Sequence, residues 1–131
     1  METAPFDHFV TFLGCAELSR TAEFYEQRLA LPLILDQGSC RIYQVSASGF
    51  LGFCSQQTIT ATGRQVIATF VCDDVDARVA LLKERGVVFE KEAAYNSQYR
   101  IYHCMFRDPD GYLLEIQRFE DERWLRTVGS P

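Results

Sequence analysis

Arg107-Asp108-Pro109-Asp110-Gly111-Tyr112-Leu113-Leu114-Glu115 joins a tight turn to the start of an apolar run that ends in a carboxylate. Asp, Pro and Gly respectively supply a side-chain acceptor, a fixed φ and a residue tolerant of positive φ, so the stretch predicts a hairpin between strands Arg100–Phe106 and Tyr112–Gln117. Upstream, Val87–Phe89 reads as a short strand. Before it, Asp74 is placed to cap a helix whose apolar face is Val75, Val79 and Leu82, and Gly86 stops that helix. The unit opens with a strand over Gln65–Cys72.

The same order of elements precedes it. His8–Gly14 is an apolar, aromatic strand, followed by a helix capped by Ser19, carrying Ala22, Phe24, Tyr25 and Leu29, and ended before Pro32. Three strands follow, Leu33–Asp36, Cys40–Val45 and Phe50–Cys54, then a polar stretch from Ser55 to Arg64. Phe24-Tyr25 corresponds to Leu81-Leu82 at an offset of 57, which sets Val10 on Ile67; Gly49-Phe50-Leu51-Gly52-Phe53 corresponds to Gly111-Tyr112-Leu113-Leu114-Glu115 at an offset of 62. The chain is thus an α+β domain over 1–131, with βαβββ units of about 8–55 and 65–119 and a tail, 120–131, helical for a turn or two. A 60-residue half is marginal alone, so the halves are expected to share a sheet or core.

With 131 residues, 47% hydrophobic and 24% charged, the composition is that of a globular domain. Thirteen Lys+Arg against 18 Asp+Glu give a net charge of −5, which does not indicate a nucleic-acid partner, and no run approaches a membrane span. Cysteines stand at 15, 40, 54, 72 and 104, with no C-x-x-C spacing and mostly in apolar runs, so neither zinc nor a disulfide framework is expected. With no apolar leader in METAPFDHF, the reading is a protein of a reducing compartment, the cytoplasm. Histidine is scarce, at His8 and His103 only.

The repeated unit with its terminal D-P-D-G-x-x-x-E signature, together with Ala22-Glu23-Phe24-Tyr25 and Asp73-Asp74-Val75-Asp76, resembles the vicinal oxygen chelate superfamily over Phe9–Phe119. That superfamily includes glyoxalase I, fosfomycin- and bleomycin-resistance proteins and extradiol dioxygenases. The resemblance implies a curled mixed sheet around a central cavity, a homodimer, and a divalent metal held by His and Glu from the opening and last strands of each unit. Carried onto this chain, those four positions hold Val10, Phe53, Ile67 and Glu115. Three are hydrocarbon, and one carboxylate does not hold a catalytic ion, so no cofactor is expected. His8, two residues before Val10 and about 7 Å further along the same strand face, is either a partly solvated strand entrance or a metal or substrate group.

With Glu115 facing the cavity, alternation brings Leu113 and Gln117 with it, and the superfamily's hairpin register brings Ile101, His103 and Met105. The offset of 62 adds Arg41 and Tyr43, giving a bowl lined by Val10, Phe12, Phe53, Ile67 and Met105 with Arg41, Tyr43, His103, Glu115 and Gln117 as its polar set. Arg41 either pairs internally with Glu115, orients an anionic ligand, or points into solvent. Glu115, as general base, and His103, as acid or base, are the candidate catalytic pair, or else buried wall residues. Tyr95, Asn96 and Tyr99 are placed in a mouth loop, and Trp124 is a lid or a hydrophobic plug. Cys54 and Cys104 alternate with Phe53 and His103 and are expected to face the helices.

The function these residues suggest is binding of a small anionic or aromatic molecule without a conventional metal, either sequestering it or transforming it by proton transfer. The alternatives are a metal-dependent lyase, isomerase or dioxygenase using Glu115 with His8 or His103, and a non-enzymatic regulatory module.

Overall fold

Each βαβββ unit builds a four-stranded mixed sheet of its own, an α+β architecture. The computed structural model describes residue 4 and residues 8–55 and 66–128, and the chain divides into two units, Met1–Ala61 and Thr62–Pro131. The polar stretch from Gln56 to Arg64 and the predicted strand start at Gln65 lie outside the described residues. No described helix is long and apolar enough to cross a membrane.

In the first unit, β1 (Phe9–Gly14) is followed by α1 (Leu18–Ala22), which widens into a π-helical segment over Glu23–Arg28. Ser19 does not cap this helix; it lies inside it, and Glu17 is the N-cap without a side-chain hydrogen bond. Ala30 ends the helical path at φ 55°, a left-handed conformation costly for a residue with a Cβ, and Pro32 follows. Then come β2 (Leu33–Asp36), β3 (Cys40–Gln44) and β4 (Gly49–Cys54), in sheet order β1-β4-β3-β2 with only the β1–β4 pair parallel.

The core of this unit is aromatic. Tyr25 on the π-helical segment lies 4.3 Å from Phe53 and 6.1 Å from Tyr43 between ring centroids, and all three are fully buried. Tyr43 and Phe53 therefore point at the helix. Because Arg41 pairs with Phe53 across the ladder and strand side chains alternate, Arg41 shares that face, and Val10, Phe12, Cys40, Gly52 and Cys54 take the other.

In the second unit, β5 (Ile67–Val71), α2 (Val75–Glu84), β6 (Phe89–Asn96), β7 (Ile101–Arg107) and β8 (Leu113–Phe119) give the order β5-β8-β7-β6, with β5–β8 parallel. A final helix, α3, spans Glu122–Val128. Asp74 caps α2 as expected, its Oδ1 accepting from the Ala77 N–H at 3.0 Å, and Gly86 closes it at φ 85°. In the Asp-Pro-Asp-Gly turn, Asp108 Oδ1 accepts from the N–H groups of Asp110 and Tyr112 at 2.9 Å each, and Gly111 sits at φ 89°.

Two expectations are corrected here. The strand placed at Val87–Phe89 runs on to Asn96, so Tyr95 and Asn96 lie in β6; only Tyr99 is in the connecting turn, closed by Asn96 Oδ1 accepting from the Gln98 and Tyr99 N–H groups. The offset between the strand pairs is 63, not 62. Val10 pairs with Phe50 and Ile67 with Leu113, so once Val10 is set on Ile67, Gly52, not Phe53, is the counterpart of Glu115. Matching Gly49 to Gly111 caused the slip. Gly111 is a positive-φ turn residue, whereas Gly49 already belongs to β4 opposite Phe9. A slip of one residue exchanges the faces of a strand.

Candidate functional site

The polar group the sequence placed on β7 and β8 is assembled within the second unit. The parallel register sets Thr69 beside Glu115, and the antiparallel register sets Met105 beside Glu115 and His103 beside Gln117. These side chains share the sheet face opposite to Tyr102, whose hydroxyl donates to Asp76 of α2 at 2.6 Å. On their face, Glu115 Oε1 accepts from the Thr69 hydroxyl at 2.8 Å and Oε2 meets His103 Nδ1 at 2.5 Å. With its amide nitrogen turned toward the carboxylate, Gln117 donates to Oε1 at 3.1 Å and Oε2 at 3.3 Å, the orientation that satisfies both groups.

Glu115, His103 and Gln117 are all buried, at 7%, 3% and 6% exposure. Burying a carboxylate costs several kcal/mol unless donors replace water, and three side chains do so here. His103 is only half satisfied: its Nε2 is buried and has no hydrogen-bond partner among the described residues. Such an atom costs about 1–3 kcal/mol. Among the described residues it is the buried polar atom of this cluster that lacks a partner.

Around this group lie Ile101 and Leu113, both buried, half-buried Met105, and Ile67 on the edge strand. Phe119, four residues beyond Glu115 on the same strand face, stacks on Trp124 of α3 with ring centroids 3.8 Å apart. Thr69 and Phe119 were not singled out from sequence. A hydroxyl two positions from Ile67 in an otherwise apolar strand was the signal for Thr69.

In the first unit the expected arrangement is not found. Arg41, for which Glu115 was one expected partner, is paired within its own unit: its Nη1 lies 3.2 Å from Glu26 Oε2 and its Nε 3.5 Å from Asp36 Oδ2. Tyr43 donates to the same Glu26 oxygen at 2.8 Å. Burial, then the bond to Glu26, push the Tyr43 phenol well above its ordinary pKa, against the opposing Arg41. The one-residue slip thus puts Tyr43 and Phe53 in the helix-facing core and half-buried Arg41 on the same side, not on the face of Val10 where the sequence placed them. Val10 remains on the opposite face beside Phe12, and His8 packs edge-on against Phe50 at 5.6 Å.

The cysteines also depart from expectation. Cys40 and Cys54 are direct cross-strand partners with Cα atoms 4.1 Å apart, and they form a disulfide. Spacing alone could not reveal it, because hairpin register, not sequence interval, brings them together. Cys54 faces away from the helix, the reverse of what was expected, for the same one-residue reason. Cys104 does face α2's side of its sheet, and burial pushes its thiol up to about 11.

A divalent ion bound as the resemblance implies does not fit these residues. Among the described residues no three His, Cys, Asp or Glu side chains stand close enough to hold a metal. Val10 and Ile67 have no lone pairs to offer, Gly52 has no side chain, and Glu115 is already bonded through both oxygens.

The family model for the Glyoxalase/Bleomycin resistance protein/Dioxygenase superfamily matches residues 6–116. The chain belongs to this superfamily. Solved superfamily structures agree in fold. A glyoxalase/bleomycin resistance protein/dioxygenase from Alicyclobacillus acidocaldarius superposes with a TM-score of 0.72 at 20% identity, covering 93% of this chain and 98% of the other. One from Nocardioides gives 0.72 at 17% identity over 91% and 86%. A lactoylglutathione lyase from Agrobacterium tumefaciens gives 0.69 at 18% over 88% and 96%. At such identities the likeness is one of fold. No curated protein matches the chain in sequence.

Proposed function

We propose that this superfamily member binds a small organic molecule on the His103–Glu115 face of its second unit, without a conventional metal ion, and either sequesters it or moves a proton on it. The observation that carries the reading is the Glu115 carboxylate. It stands at the superfamily's ligand position, yet Thr69, His103 and Gln117 occupy it, and beyond them His103 Nε2 is buried without a partner among the described residues. In a proton-transfer step Glu115 orients the ring through Nδ1, and Nε2 is the atom that would meet the substrate. Met105, Ile101, Leu113 and the Trp124–Phe119 stack are the apolar surroundings that such a ligand would contact.

Two measurements test this. Metal analysis of protein purified without chelator is expected to find no stoichiometric Zn, Ni, Fe or Mn; a full equivalent lost on Glu115→Ala would replace this reading by a metal-dependent one. A thermal-shift screen is expected to find ligands whose effect disappears in His103→Ala and survives in Arg41→Ala, since Arg41 is engaged by Glu26 and Asp36.

A homodimer and a cytoplasmic location complete the proposal. Sedimentation velocity decides the first, a monomer overturning it. For the second, the Cys40–Cys54 bond weighs against a strongly reducing compartment. Alkylation at lysis separates the cases: five trapped thiols favour the cytoplasm and three an oxidising compartment.

A further inference from the structure

We infer that the ligand is selected as a hydrogen-bond donor: His103 Nε2 is an acceptor, and the molecule it takes is an uncharged, largely apolar one presenting an O–H or N–H group, not a carboxylate or phosphate. This rests on the binding reading above and narrows its ligand class.

The positions of the protons set the polarity of the site. Thr69 and Gln117 both give their hydrogens to Glu115, which leaves that group acting as an acceptor on both oxygens. The bond at 2.5 Å to His103 then needs its proton on Nδ1. With no acceptor beside Nε2, a second proton there would be a buried, unpaired donor, so the ring is taken as neutral with its proton on Nδ1, and it presents a lone pair at Nε2, an atom buried and unpartnered among the described residues. A donor from the ligand removes the cost of leaving it so.

Charge points the same way. No Lys or Arg side chain bonds to Thr69, His103, Glu115 or Gln117 among the described residues. Arg107 and Arg118, on the same two strands, are held by Glu90 and Glu120. A ligand anion at Nε2 would meet a lone pair backed by a carboxylate, in surroundings of Ile101, Met105 and Leu113. An O–H or N–H group bonds to that lone pair and leaves the rest of the molecule to the apolar side chains.

Three matched probes, phenol, anisole and benzoate, test the inference by imidazole nitrogen NMR on the intact 15N-labelled chain near neutral pH. In the free protein His103 is expected to show a protonated Nδ1 and an unprotonated Nε2. Phenol is expected to shift the Nε2 resonance and to bind about tenfold more tightly than anisole, the size of one hydrogen bond. Benzoate is expected to bind more weakly than either. Equal binding of phenol and anisole at His103 would overturn the donor selection and leave small-molecule binding standing. Benzoate binding tightest, with a proton on Nε2, would overturn it in favour of an anion site. No response at His103 to any of the three, or to a wider fragment set, would overturn the binding reading and this inference together. His103→Phe, which keeps a ring and removes the acceptor, is expected to abolish the phenol preference while the chain's thermal transition reports whether it still folds.

Discussion

At the same place in their two sheets, the two units have opposite chemistry. In the second, Thr69 on the opening strand donates to Glu115 on the last strand, and His103 joins them from the neighbouring strand. In the first, the corresponding opening-strand residue is Phe12 and the last-strand residue is Gly52, direct partners in the parallel ladder. A Cβ at Gly52 would enter the space of the Phe12 ring, so the glycine is what lets the ring lie over the strand. One repeat thus carries a polar site on a scaffold that the other uses for hydrocarbon packing. The repeat conserves backbone pairing more strictly than side-chain chemistry.

Breaking the polar member should have the largest effect. Glu115→Leu strands the His103 Nδ1–H and the Gln117 amide in buried surroundings and takes the acceptor from the exposed Thr69 hydroxyl, and a loss of about 3–4 kcal/mol is expected in urea denaturation. A loss under about 1 kcal/mol would mean that the cluster is solvated and not a closed network.

The apolar member should be nearly as sensitive to a far smaller change. Gly52→Ala is expected to cost about 1–3 kcal/mol through its collision with the Phe12 ring, and Phe12→Ala in the same chain should relieve that collision. Additive losses in the double-mutant cycle would show that the ring and the glycine are not coupled.

A third contrast separates Tyr43 from its counterpart Phe106; both are fully buried on the helix-facing side, but only Tyr43 has a hydroxyl. Because the folded state raises the Tyr43 pKa, its contribution to stability is complete below the unfolded value of 10.0 and is lost as pH rises from there toward the raised folded value. Tyr43→Phe is expected to cost about 1 kcal/mol at neutral pH, from the lost bond to Glu26, and to flatten this alkaline decline. An unchanged alkaline limb in stability measured against pH would locate its cause elsewhere.

The smallest effect concerns helix endings: Gly86 closes α2 at φ 85°, whereas Ala30 follows the first helix at φ 55°. Ala30→Gly is expected to stabilise by about 0.5–1 kcal/mol in thermal denaturation. No gain would mean that the Ala30 methyl makes compensating contacts.

The second unit was the more legible because its signals are local. Asp74, Gly86 and Asp108-Pro109-Asp110-Gly111 each dictate a backbone geometry by their own chemistry, and with that frame fixed, alternation brought His103, Glu115 and Gln117 to one face. Strand β6 was shortened in the reading because Glu90, Lys91 and Glu92 look like loop, whereas charges suit an exposed edge strand and two register irregularities break its alternation. In the first unit no residue with a comparable constraint fixed β4. A glycine-to-glycine match decided the register instead, and one position of error turned Arg41, Tyr43 and Phe53 from helix-facing residues into apparent pocket residues. The pairings of Arg41 with Glu26 and Cys40 with Cys54 depend on that register, and were hidden with it.

The Phe12 ring over Gly52 also limits how the chain can change. Rebuilding a polar pair there needs a hydroxyl for Phe12 and a carboxylate for Gly52, and the order of the two changes matters. The carboxylate first would strike the ring, whereas the hydroxyl first removes a ring that is 45% exposed and clears the space above the Gly52 backbone. A polar pair is therefore open to the first unit only by way of Phe12, and the glycine can change only once the ring has gone.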